Sequence, residues 1–231
     1  MRMHMRIATL FAVLLLAGPA SAATLTLTDG GDGLPYGDTS GFVVDFDATY
    51  AWSPSLVAGQ TYSIESISIW EASDSAATPN NTPVYLSVFD STFAGFTGDT
   101  SGSHLGFSDN AIDHTATPDT SKITYTFTGI TVTADNDGAL GGSGLVYFTW
   151  DDNTTRNNFG TSGGVHPYQR IDSNPPAADY GAAVFAFGAI QTSRVPEIEI
   201  TVRPVPEPST LALFGLSSLG VLATRRRKPQ G

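Results

Sequence analysis

The chain has 231 residues, no cysteine, and 22 acidic residues against 11 basic ones. The missing cysteine excludes disulfides, thiolate zinc sites and thiol catalysis. Two basic residues precede position 23 and four follow position 224, so five face all 22 acidic residues in between; such a surface repels nucleic acid and tolerates or needs divalent cations.

Arg2 and Arg6 give a positive start, Ile7 to Ala17 is apolar, and Ala20-Ser21-Ala22 offers a small-residue cleavage site. Residues 1–22 therefore read as a secretory signal peptide removed by signal peptidase. His4 belongs to that segment and is no candidate catalyst. The exported body, residues 23–203, is large enough for one domain with its own core.

Threonine, serine, valine, isoleucine and aromatic residues dominate this body, which favours strands over helices. Thr24 to Thr28 alternates around Leu25 and Leu27. Phe42 to Tyr50 sets Phe42, Val44, Phe46 and Ala48 against Val43, Asp45, Asp47 and Thr49. Tyr62 to Trp70 carries Tyr62 and Ile64 on one face, then changes phase to Ile67 and Ile69, as a bulge at Glu65-Ser66 would impose. Val84 to Phe89 is apolar on both faces and reads as a central strand. Ile123 to Val132 alternates Ile123, Tyr125 and Phe127 with threonines, and Leu145 to Trp150, Val184 to Phe187 and Ile198 to Val202 complete the set. No sustained helical period interrupts it. The expected fold is all-β: a single β-sandwich of jelly-roll type with Gly/Ser/Asp-rich loops.

Asp29 and Asp32, Asp135 and Asp137, and Asp151 and Asp152 lie in turns rich in hard oxygen donors, and they are the candidate calcium ligands. The same residues also serve ordinary turns. Catalytic patterns fail on context. Gly160-Thr-Ser-Gly-Gly164 fits a nucleophile elbow in letters, but Val165-His-Pro167 follows where a helix belongs. Glu197 with Glu199, and Asp45 with Asp47, each place two carboxylates on one strand face. Such pairs on an exposed face are ordinarily solvated rather than the acids of a glycosidase. His104, His114 and His166 stand isolated in loops. Trp70 and Trp150 end strands beside acidic residues and are the candidate carbohydrate platforms, with a core role as the alternative.

The end of the chain is the most specific segment. Val205, Pro206, Glu207, Pro208 and Ser209 precede an uncharged apolar span, Leu211 to Thr224, and then Arg225, Arg226, Arg227 and Lys228. The span has 14 residues, roughly 21 Å as a helix, which is short for a hydrocarbon core of about 30 Å. The prolines keep the preceding segment extended, and the basic run would hold its end in the cytoplasm.

Residues 204–231 resemble the PEP-CTERM sorting signal. That resemblance implies an exosortase as processing partner, a transient tether in the inner membrane, and a final place at the cell surface or in extracellular matrix. Tyr62 to Ile69, Pro83 to Phe89 and Ile123 to Phe127 further resemble the β-rich ectodomains called choice-of-anchor proteins. The expectation is a non-catalytic structural or adhesive component of the envelope or exopolysaccharide matrix. The alternatives are a polysaccharide-binding module and, behind it, a glycoside hydrolase.

Overall fold

The computed structural model describes residues 21–27, 34–36, 41–70, 84–90, 104–112, 122–138, 140, 144–151, 169–172, 180–186, 189–191 and 193–206. Ala22–Arg203 form one compact unit. The expected signal peptide, the apolar span and its basic stop lie outside the described residues. Among those described, no helix is long and apolar enough to cross a membrane.

The β-forming segments become strands β1 (Ala23–Leu27), β2 (Leu34–Tyr36), β3 (Gly41–Asp45), β4 (Thr61–Trp70) and β5 (Tyr85–Phe89). Next come β6 (His104–Phe107), β7 (Lys122–Thr126), β8 (Thr131–Thr133), β9 (Leu145–Asp151) and β10 (Gln169–Asp172). Then follow β11 (Ala182–Ala186), β12 (Ala189–Gln191), β13 (Val195–Pro196) and β14 (Ile198–Pro204). They build two main antiparallel sheets, so the all-β expectation holds. The first runs β1-β14-β4-β7 with β8 also on β4; the second runs β12-β11-β3-β9-β5-β6. A small third sheet joins β13, β10 and β2.

The inward faces of both sheets meet in one core. Leu25, Leu27, Ile67, Ile69, Tyr125, Ile198 and Ile200 come from the first sheet, and Phe42, Val44, Leu86, Val88, Phe148 and Trp150 from the second. Tyr125 lies 6.1 Å from Trp150 and Phe127 lies 6.4 Å from Phe148, centroid to centroid, so aromatic rings bridge the layers. The outer face of the first sheet is polar. Ser68 bonds Thr124 across the strands at 2.8 Å, Lys122 pairs with Glu199 at 2.6 Å, and Arg203 pairs with Glu65 at 2.7 Å.

Two expected strands differ in extent. The phase change in β4 is present: Tyr62 and Ile64 point inward before it, Ile67 and Ile69 after it. Opposite it, the expected strand Ile123 to Val132 divides into β7 and β8. The reason is geometric, because the partner must change phase as well. Thr128 and Gly129 supply the extra residues, Gly129 at φ 80°, and the inward row passes from Ile123, Tyr125 and Phe127 to Ile130 and Val132. The expected strand Phe42 to Tyr50 stops at Asp45. Its supposed polar face is not exposed: Asp45 and Asp47 are both 0% accessible, because β3 is covered on both faces.

Strand β3 sits between β11 and β9, and its first residue carries the tightest backbone approach. A Cβ on Gly41 would collide with the carbonyl oxygen of Phe148, and its φ is 152°. Since the obstacle is backbone in a central strand, it cannot swing aside. Gly41→Ala is expected to lower unfolding free energy by about 3 kcal/mol or more in urea titration; a midpoint equal to wild type would refute this packing.

Candidate metal centre

Where β3 ends, Asp45-Phe-Asp47 meets Asp135-Asn-Asp137 from the turn after β8. Backbone bonds fix the meeting. Asp135 N donates to Phe46 O at 3.0 Å and Ala48 N to Asp135 O at 2.9 Å, a short parallel bridge between the segments. Phe46 N donates to Gly144 O at 3.0 Å, which brings in the residue before β9. Side chains then lock the turns. Asp47 Oδ1 accepts from Thr49 N at 2.6 Å, Asp47 Oδ2 from Gly138 N at 2.7 Å, and Asp135 Oδ2 from Gly144 N at 2.7 Å. Ser53 Oγ donates to Asp47 O at 2.5 Å.

The result is a group of four carboxylates. Asp45, Asp47, Asp135 and Asp137 each offer an oxygen, and these oxygens lie within 4.8 Å of one another. Asp45 and Asp47 are buried, Asp135 is half-buried and Asp137 exposed, so the cluster runs from the interior to the surface. Ionised carboxylates this close repel one another, most where they are buried and least at the exposed Asp137. Burial pushes the Asp47 carboxyl up, but the amides of Thr49 and Gly138 outweigh it and hold the group below its ordinary value. Hence Asp47 keeps its charge at neutral pH.

Tyr50 completes the site. Its ring lies so close to Gly181 that a side chain there would strike it, and Gly181 O accepts from Asp45 N at 2.6 Å. The residue is 7% exposed, and its hydroxyl is buried with no hydrogen-bond partner among the described residues. Burial first, then the charges of Asp45, Asp47, Asp137 and Asp135, hold that hydroxyl far above the usual phenol range. The Gly144 Cα leaves the centre open: a Cβ there would lie 2.9 Å from Asp45 Oδ1, 2.9 Å from Phe46 O and 3.0 Å from Asp135 Oδ1. Chemically, this is a set of hard oxygen donors of the kind that holds calcium.

Of the six expected calcium ligands, the structure brings Asp135 and Asp137 together with a pair that the sequence reading gave to solvent. Asp29, Asp32 and Asp152 lie outside the described residues, as does the side chain of Asp151. The missed signal was the repeat of one spacing, Asp-x-Asp at 45–47 and again at 135–137, which only the bridge joins. Trp150 is corrected outright. It is 3% exposed and packs on Phe42 at 5.9 Å, so it is core and presents no platform. Trp70 is half-buried, and Lys122 Nζ sits over its ring at 5.3 Å. His104 is corrected as well. It belongs to β6, between the rings of Phe89 at 4.9 Å and Phe107 at 4.3 Å, rather than to a loop. Of the sorting residues, Val205 and Pro206 are described; Glu207, Pro208, Ser209, Arg225, Arg226, Arg227 and Lys228 are not.

Residues 204–228 match the family model of the PEP-CTERM protein-sorting motif. The chain thus carries a PEP-CTERM sorting signal, which implies export and sorting by an exosortase. No curated protein and no solved structure matches the chain.

Removing the Asp47 carboxylate leaves two backbone amides without their acceptor. Asp47→Ala is expected to cost about 2–4 kcal/mol in urea unfolding measured in EDTA. Because the folded pKa is lowered from 3.8, this contribution is complete above that value and is lost as pH falls through the lower folded one. The gap between wild type and variant should therefore narrow from about pH 5 towards pH 2; a gap that is constant or widens would contradict the assignment.

Proposed function

We propose that the body is a jelly-roll β-sandwich, exported and held briefly by the apolar span 211–224 while an exosortase removes the tail. It then serves as a non-catalytic structural or adhesive component of the envelope or exopolysaccharide matrix. The observation that carries this reading is the sorting motif at residues 204–228. Its position fits removal: β14 ends at Pro204, so a cut beyond Pro206 spares the last core strand.

Strand order supports the jelly-roll part. With β1, β3, β4, β5, β6, β7, β9 and β14 as eight principal strands, one sheet runs first-eighth-third-sixth. The other runs second-seventh-fourth-fifth. That is the order of two interlocked Greek keys closing on each other. The non-catalytic part is supported by how the acids are used. Glu199 is paired with Lys122 at 2.6 Å, and Asp47 spends both oxygens on backbone amides. The carbohydrate reading is weakened by the buried Trp150 and by the lysine over Trp70.

Intact-mass measurement of the protein recovered outside the cell is expected to show loss of Leu211 to Gly231, and Glu207→Ala is expected to block that loss. The processed body should sediment with envelope or exopolysaccharide. A mature product that retains Arg225 to Lys228 would defeat the processing reading, and full release into the cleared medium would defeat the matrix reading.

A further inference from the structure

We infer that Asp45, Asp47, Asp135 and Asp137, with the Phe46 carbonyl beside them, bind a calcium ion that pins the end of β3 to the turn after β8. Two independent observations carry it. The first is convergence: four carboxylate oxygens within 4.8 Å of one another, drawn from segments about ninety residues apart and set by backbone bonds. The second is the Tyr50 hydroxyl, more than nine-tenths buried, without a hydrogen-bond partner among the described residues, and within the electrostatic reach of all four aspartates. A buried hydroxyl seldom goes unpartnered. Water on a hydrated cation would supply its partner.

The donor set favours calcium over the other common hard cation. Calcium accepts six to eight oxygens in loose geometry, whereas magnesium demands a near-ideal octahedron and keeps much of its water. Four carboxylates and a carbonyl on two distant segments fit the former. The gradient from buried Asp45 to exposed Asp137 leaves an entry path from solvent. Physically, the ion would act as a cross-link in a chain that has no cysteine. It would offset the mutual repulsion of the four carboxylates. Calcium is plentiful outside cells, so the cross-link would close after export. This inference stands on the cluster and is independent of the matrix role.

The test uses the full chain, purified in mild detergent and stripped with EDTA. Melting followed by circular dichroism should rise by about 2–4 °C when calcium chloride is added to several times the Kd expected of an extracellular site, about 0.1–1 mM. Magnesium at the same concentration should do much less. Asp137→Asn, at an exposed position, should weaken calcium affinity roughly tenfold, about 1.4 kcal/mol of binding free energy, and so lose most of the melting response. Asp109→Asn, an exposed aspartate outside the cluster, should respond as wild type. Terbium provides a second readout: emission sensitised by the chain should appear, be displaced by calcium, and drop in Tyr50→Phe. Melting that is the same in EDTA and calcium would overturn the inference, and so would an Asp137→Asn response equal to wild type or terbium emission that calcium does not displace.

Discussion

The central strand β3 is buried along its whole length and on both faces, and the rest of the architecture is arranged to make that possible. Phe42 and Val44 fill the space between the main sheets, while Val43 and Asp45 face the other way and are equally inaccessible. A strand with such surroundings needs neighbours on both edges, which β11 and β9 supply. It also needs a residue without a side chain where the backbone of β9 presses closest, and Gly41 meets that need. Once these conditions hold, Asp45 and Asp47 have no choice of environment. The strand carries its acids inward as it ends, and the local structure must answer their charge.

That answer explains the construction around the acids. Buried carboxylates are costly unless hydrogen-bonded, and here the backbone amides of Thr49 and Gly138 donate to Asp47 and that of Gly144 to Asp135. Amides can approach closely only where glycine or a tight turn admits them. The glycine-rich loops thus serve the acids as well as the reversal of the chain. The same economy appears on the exposed sheet face, where Lys122 serves Glu199 and covers Trp70 at once. With so few basic residues in the body, Lys122 thus serves two neighbours.

The sequence disclosed the fold class because alternation is a local signal. Leu25 and Leu27, Tyr62 to Ile69 and Ile123 to Phe127 each declare a strand without reference to any partner. Even the phase change at Glu65-Ser66 was legible, since one strand records its own alternation. Its consequence was not. The partner had to break at Thr128-Gly129, and a run of alternating residues does not say which other run it must match. The short strands β2, β6, β10, β12 and β13 escaped for a simpler reason: two to four residues hold too few alternations to stand out. For the site, the turn at Asp135 to Asp137 was visible as chemistry, but Asp45 and Asp47 looked like the solvent face of an amphipathic strand. Burial of both faces is decided by β9, β11 and the layers around them, so no local pattern could report it.

The tail and the body pose opposite physical problems. The sorting signal is legible from sequence because its parts work in order along the chain: an extended Pro-Glu-Pro segment, an uncharged span, a basic stop. It needs no tertiary contact to be recognised. The body, in contrast, acquires its one unusual feature only when distant segments meet. An acidic chain without cysteine has few ways to hold such a junction, since disulfides are excluded and basic residues are scarce. Hydrogen bonds from amides neutralise part of each carboxylate but cannot cancel the charge that four of them concentrate in one place. A divalent cation can do so, and it can do so only where it is abundant. On this reasoning the destination written in the tail and the charge gathered at the end of β3 are linked. A domain sorted to the outside of the cell would meet there the ion that its acidic junction is shaped to take.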